Sequence, residues 1–165
     1  MTSQQAVVPE RTPDSIVIPK RSPKMENALT VEDAQEALQN EGFKAKLERL
    51  EDGRCVIHSG ANGFRIRIRV HYAKDSKDRI ASLLYTSGFS TTDVERPRLL
   101  EYANKFNSEF RYAKTYVDDE NGFWLEQDAI VYKGFDAGAV VEHFNCYCAM
   151  QHRFTDGLRA EKIWT

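Results

Sequence analysis

Apolar and charged side chains alternate along residues 64–71: Phe64, Ile66, Ile68 and Val70 in one phase, Arg65, Arg67, Arg69 and His71 in the other. Successive strand side chains point to opposite faces, so this pattern predicts a half-buried β-strand with the four apolar residues in the core. Upstream, Phe43, Ala45 and Leu47 alternate with Lys44, Lys46 and Glu48. Asp52-Gly53 then supplies a hairpin turn before a strand over 55–58, and Ala61-Asn62-Gly63 supplies a second turn. Beyond a polar loop at 73–79, residues 80–89 read as a fourth strand. Aromatic and β-branched residues enrich 112–117 and 123–132, and the acidic stretch 118–122 joins them as a hairpin.

Elsewhere the apolar period is helical. Thr30 stands where an N-cap belongs, with Asp33 three residues on and Val31, Ala34, Ala37 and Leu38 at helical spacing; Gly42 marks the end. Pro97 suits the first turn of a second helix, whose buried stripe is Leu99, Leu100, Ala103, Phe106 and Phe110. Asp136 can cap a third, with Val140, Phe144, Tyr147, Met150 and Phe154 along one side and Gly157 as its stop. The resulting order, α-β-β-β-β-α-β-β-α with strands in hairpin runs, predicts an α+β fold with an antiparallel sheet rather than a parallel array. Residues 1–28 hold Pro9, Pro13, Pro19 and Pro23 and no sustained period, which predicts a flexible N-terminal arm. Residues 29–157 form the expected domain and 158–165 a C-terminal tail. Within the arm, Ile16-Val17-Ile18 is a short segment that could add to a sheet edge.

Composition narrows the function classes. A chain of 165 residues with 41% hydrophobic and 29% charged residues has the proportions of one water-soluble globular domain. A formal net charge of -2 offers no electrostatic case for nucleic acid, whose binding draws on neutralised phosphates. No apolar run approaches the roughly 18 residues of a membrane span, and residues 1–10 lack the pattern of a secretory signal. The cytoplasm is therefore the expected compartment. Cys55, Cys146 and Cys148 read as reduced thiols, odd in number and the last two too close for a disulfide framework.

Candidate chemistry is sparse. No phosphate-binding loop, nucleophile elbow or zinc-protease helix is present, so no catalytic residue, cofactor or metal is expected. His143, Cys146 and Cys148, with His152 four residues beyond Cys148, could suggest a metal, but Cys146 and Cys148 are two apart on a helix and diverge, so they read as buried structural cysteines. Asp118, Asp119 and Glu120 before Asn121-Gly122 have the wrong spacing for a calcium loop and read as an acidic hairpin tip. Tyr112, Tyr116, Phe123, Trp124, Tyr132 and Phe135 read as core and sheet packing. The surface feature that stands out is Arg65, Arg67 and Arg69, each about 7 Å from the next on one face. Cross-strand partners such as Glu48 or Glu51 would make it an ordinary solvated face; otherwise the stripe is a candidate protein interface for an acidic segment.

The element order and several local sequences resemble the YbjN family, whose fold is similar to that of type III secretion chaperones. The resemblance is carried by Leu29-Thr30, Gly42-Phe43, Gly63-Phe64, Asn104 with Asn107, and above all residues 110–144, FRYAKTYVDDENGFWLEQDAIVYKGFDAGAVVEHF. It implies a sheet covered by helices on one face, a sensory or regulatory role in bacteria, no catalytic residue, and two copies paired as a homodimer. The proline-bearing arm and the arginine stripe are particular to this chain. The function expected is thus a non-enzymatic protein-binding module, chaperone-like or a regulatory adaptor. An enzyme with an unrecognised site and a weak nucleic-acid binder are the alternatives. The partner itself and the pathway are not written in the sequence.

Overall fold

Each element forms where the period changes. In a computed structural model of the chain, residues 29–74, 76, 79–91, 94–130 and 136–164 are described. The order is α1 (Val31–Asn40), β1 (Lys46–Arg49), β2 (Cys55–Ala61), β3 (Phe64–Tyr72), β4 (Ile80–Phe89), α2 (Arg96–Glu109), β5 (Lys114–Val117), β6 (Phe123–Ile130) and α3 (Ala137–Ala160). The fold is α+β, as the sequence predicts. The expectations for 1–28 and for Tyr132 and Phe135 lie outside the described residues.

All six strands pair antiparallel in one sheet of order β1-β2-β3-β4-β6-β5. After β4 the chain crosses through α2, enters at the edge as β5, and returns inside as β6. The β2–β3 hairpin turns at Asn62 and Gly63, whose φ of 53° and 83° are the left-handed values of a type I′ turn. At the β5 edge, Asn107 of α2 donates its side-chain amide to the Thr115 carbonyl at 2.9 Å and accepts from the Thr115 N–H at 2.8 Å. One side chain thus occupies backbone groups that an exposed edge would offer to another strand.

The three helices cover one face. Ile66, Ile68, Leu83, Tyr85, Phe123 and Leu125 point into that layer and are buried. Phe154 of α3 is its hub, with its ring packed against those of Phe89, Tyr102, Phe106 and Phe123. Buried phenols donate to backbone: Tyr147 to the Leu125 carbonyl at 3.0 Å and Tyr102 to that of Phe154 at 2.8 Å. The Thr30–Asp33 capping box starts α1, and Asp136 caps α3.

Some expectations are corrected. Helix α3 runs through Gly157 to Ala160, and Leu158 and Ile163 are buried, so the residues after 157 that are described belong to the packed body. Gly157 is there for space: a Cβ at that position would collide with the Tyr102 hydroxyl. Leu100 is 41% exposed, and Tyr102, not Leu100, fills the apolar stripe of α2. The strand expected from residue 112 begins at Lys114, leaving Tyr112 68% exposed. Only Cys55 of the three free cysteines is buried; Cys146 and Cys148 are half-buried.

Candidate protein-binding face

The opposite phase of every strand builds the uncovered face. Strand register sets its rows: Lys46, His58, Arg67, Thr86, Glu126 and Lys114 lie side by side across all six strands. Glu48, Val56, Arg69, Leu84 and Asp128 form the next row. Arg65, Arg67 and Arg69 are all exposed on this face, in the phase opposite to buried Ile66 and Ile68.

The partners of the stripe differ from those expected. Glu48 pairs with His58 on the neighbouring strand and not with an arginine. Arg69 reaches across β4 to Glu126 at 3.4 Å, and Lys114 approaches the other carboxylate oxygen at 3.3 Å. The Tyr116 hydroxyl donates to Glu126 at 3.1 Å. With a side chain only 9% exposed, Glu126 is a carboxylate that burial would penalise heavily without these three partners. Burial first, and the Glu126 charge second, push the Tyr116 phenol above its ordinary value, which keeps it a proton donor. Arg65 and Arg67 make no side-chain hydrogen bond or ion pair among the described residues.

Between these groups lies a shallow trough of about 510 Å³. Arg67, Arg69 and Thr86 line its middle, Trp124 and Tyr116 one end, and Glu48, Leu50, Val56 and His58 the other. The Trp124 ring lies over Gly88, where a Cβ would come within 3.4 Å of it, and its indole N–H donates to Asp118 at 2.9 Å. Two aromatic residues expected in packing, Tyr116 and Trp124, therefore stand on the open face, Tyr116 with 42% exposure. Their signal was present as period two, since Lys114, Tyr116, Trp124, Glu126 and Asp128 share the polar phase of β5 and β6. Aromatic bulk disguised it as core.

The acidic tip is a folding device. Asp118 accepts from the Gly122 N–H at 2.8 Å, the Glu120 N–H at 3.0 Å and the Trp124 indole, which together hold its carboxyl below the ordinary range. Arg96 binds the Asp118 carbonyl and the Asn121 side chain, closing the loop. Among the described residues no group of three His, Cys, Asp or Glu could hold a metal ion, and no helix is long and apolar enough to cross a membrane.

A helix-covered antiparallel sheet with one open, polar face is thus the class of protein that this chain represents. Residues 30–160 match the YbjN family, described as "Putative bacterial sensory transduction regulator", and the chain belongs to that family. Among solved structures it is similar to "Crystal structure of YbjN, a putative transcription regulator from E. coli". That likeness has a TM-score of 0.61 at 10% identity, covering 82% of this chain and 95% of the other, and it shows a shared fold. No curated protein matches this chain.

Proposed function

We propose that this chain is a non-enzymatic regulatory adaptor of the bacterial cytoplasm that binds another protein through the open face of its sheet. The observation that carries this reading is the trough across all six strands, lined by arginine, tryptophan and tyrosine, the residue types enriched in protein interfaces. Membership of a family described as a sensory transduction regulator supports the regulatory part. Support for a binding role over a catalytic one comes from two acids of the face: Glu48, in the trough lining, is paired with His58, and Glu126 with Arg69 and Lys114.

A photo-crosslinking amino acid in place of exposed Asp128, on the open face, should yield a discrete adduct in bacterial cells, whereas one in place of Glu101 on α2 should not. Adducts of equal yield from both positions, or from Glu101 alone, would remove the open face as the interface. The adduct's mass also tests the paired state: twice 18.9 kDa identifies a second copy of this chain on the same face.

A further inference from the structure

The trough has a direction, and that direction restricts what it holds. Its lining residues come from every strand, from Glu48 on β1 to Tyr116 on β5, so it runs across the strands rather than along one. Six strands spaced by about 4.8 Å make it roughly 24 Å long, enough for about seven residues of extended chain. At about 510 Å³ over that length it is narrow, a shape that suits a single extended strand of polypeptide laid over the sheet. Addition of a strand at the β5 edge is disfavoured because Asn107 already holds the Thr115 backbone.

Charge is distributed unevenly along it. At the Trp124 end, Glu126 is sequestered by Arg69, Lys114 and Tyr116, and at the other end Glu48 is taken by His58. What remains to meet a ligand is the guanidinium of Arg67 in the middle, with Arg65 beside it, and the apolar surfaces of Trp124, Tyr116 and Val56. An unpaired guanidinium offers a planar fork of donors that matches a carboxylate, and a fixed indole face accepts an apolar side chain at low entropic cost.

We infer that the trough binds an extended acidic segment of a partner protein, laid across the strands with a carboxylate on Arg67 and an aromatic or aliphatic side chain against Trp124 and Tyr116. This rests on the protein-binding reading above and specifies the chemistry of the partner. Basic segments are disfavoured by Arg67 and Arg69 at the centre of the trough, with Arg65 exposed beside them on the same face of β3.

The test uses the full chain carrying Trp164→Phe, so that Trp124 is the fluorescent reporter. A synthetic seven-residue peptide alternating Asp or Glu with Phe and Leu should shift Trp124 emission saturably, more weakly as salt rises. The same peptide with lysine for each acid should bind at least about ten-fold more weakly, and Arg67→Glu should cost the acidic peptide about the same. Arg67→Gln should give an intermediate loss, while Arg153→Glu, on helix α3, should give none. Equal affinity for the acidic and lysine peptides, or unchanged acidic-peptide affinity in both Arg67 variants with native circular dichroism, overturns the inference. An adduct at residue 128 together with no acidic preference leaves the adaptor reading standing and removes this one. Acidic-peptide binding that depends on Arg67, with no protein adduct in cells, upholds the recognition chemistry and removes the adaptor reading.

Discussion

Ile68 and Arg67 are neighbours in sequence on the same strand, yet one is sealed in the core and the other is exposed on the open face. The same alternation of side-chain direction runs through β3, β4 and β6, so each strand contributes one side to a buried, ring-rich layer and the other to a charged trough. The covered face is built around interlocked rings; the open face combines ion pairs with Arg65 and Arg67, which hold no side-chain partner among the described residues. Stability therefore belongs to the first and recognition to the second, and perturbations of the two should separate.

The largest expected effect is alkaline. Burial pushes the phenols of Tyr85, Tyr102 and Tyr147 well above their ordinary value, while in the unfolded chain they titrate near about 10. Raised folded values mean that this stability is intact below about pH 10 and falls as pH rises above it, by up to about 1.4 kcal/mol per pH unit for each phenol. Urea unfolding at pH 9 and pH 11 should show a large drop in midpoint; equal midpoints would mean that the layer is wet. Next is Ile68→Ala, which opens a cavity in that layer and should cost about 2–5 kcal/mol. A loss below about 0.5 kcal/mol would reverse the assignment of the two faces. Gly157→Ala places a methyl against the Tyr102 hydroxyl and should cost about 1–3 kcal/mol, read as a lower thermal midpoint. Tyr102→Phe in the same background should recover part of that loss by removing the clashing atom. Smallest is Arg67→Glu, expected to change stability by less than about 0.5 kcal/mol in urea while weakening acidic-peptide binding about ten-fold, since the guanidinium holds no partner among the described residues. A large destabilisation there would make the open face a structural one.

What the sequence determined by itself is whatever depends on neighbours along the chain. Period two over residues 64–71 placed Ile66, Ile68 and Val70 inside and the three arginines outside. Thr30 with Asp33 and Asp136 marked helix starts because a cap needs only a side chain and the N–H two or three residues on. Tertiary structure alone decided where the chain folds back. Gly157 looks locally like a helix stop, but α3 continues because Tyr102 from another helix needs the space and Leu158 has a core to enter. The candidate site divides in the same way. The arginine row was legible in residues 64–71, whereas Glu126, Tyr116 and Trp124 joined it only when β6 inserted between β4 and β5, with Thr86 of β4 set opposite Glu126 of β6 far along the chain. Side-chain phase is a local property of the backbone, but the partner of a charge is set by which strand lies next to it, and no local period encodes that choice.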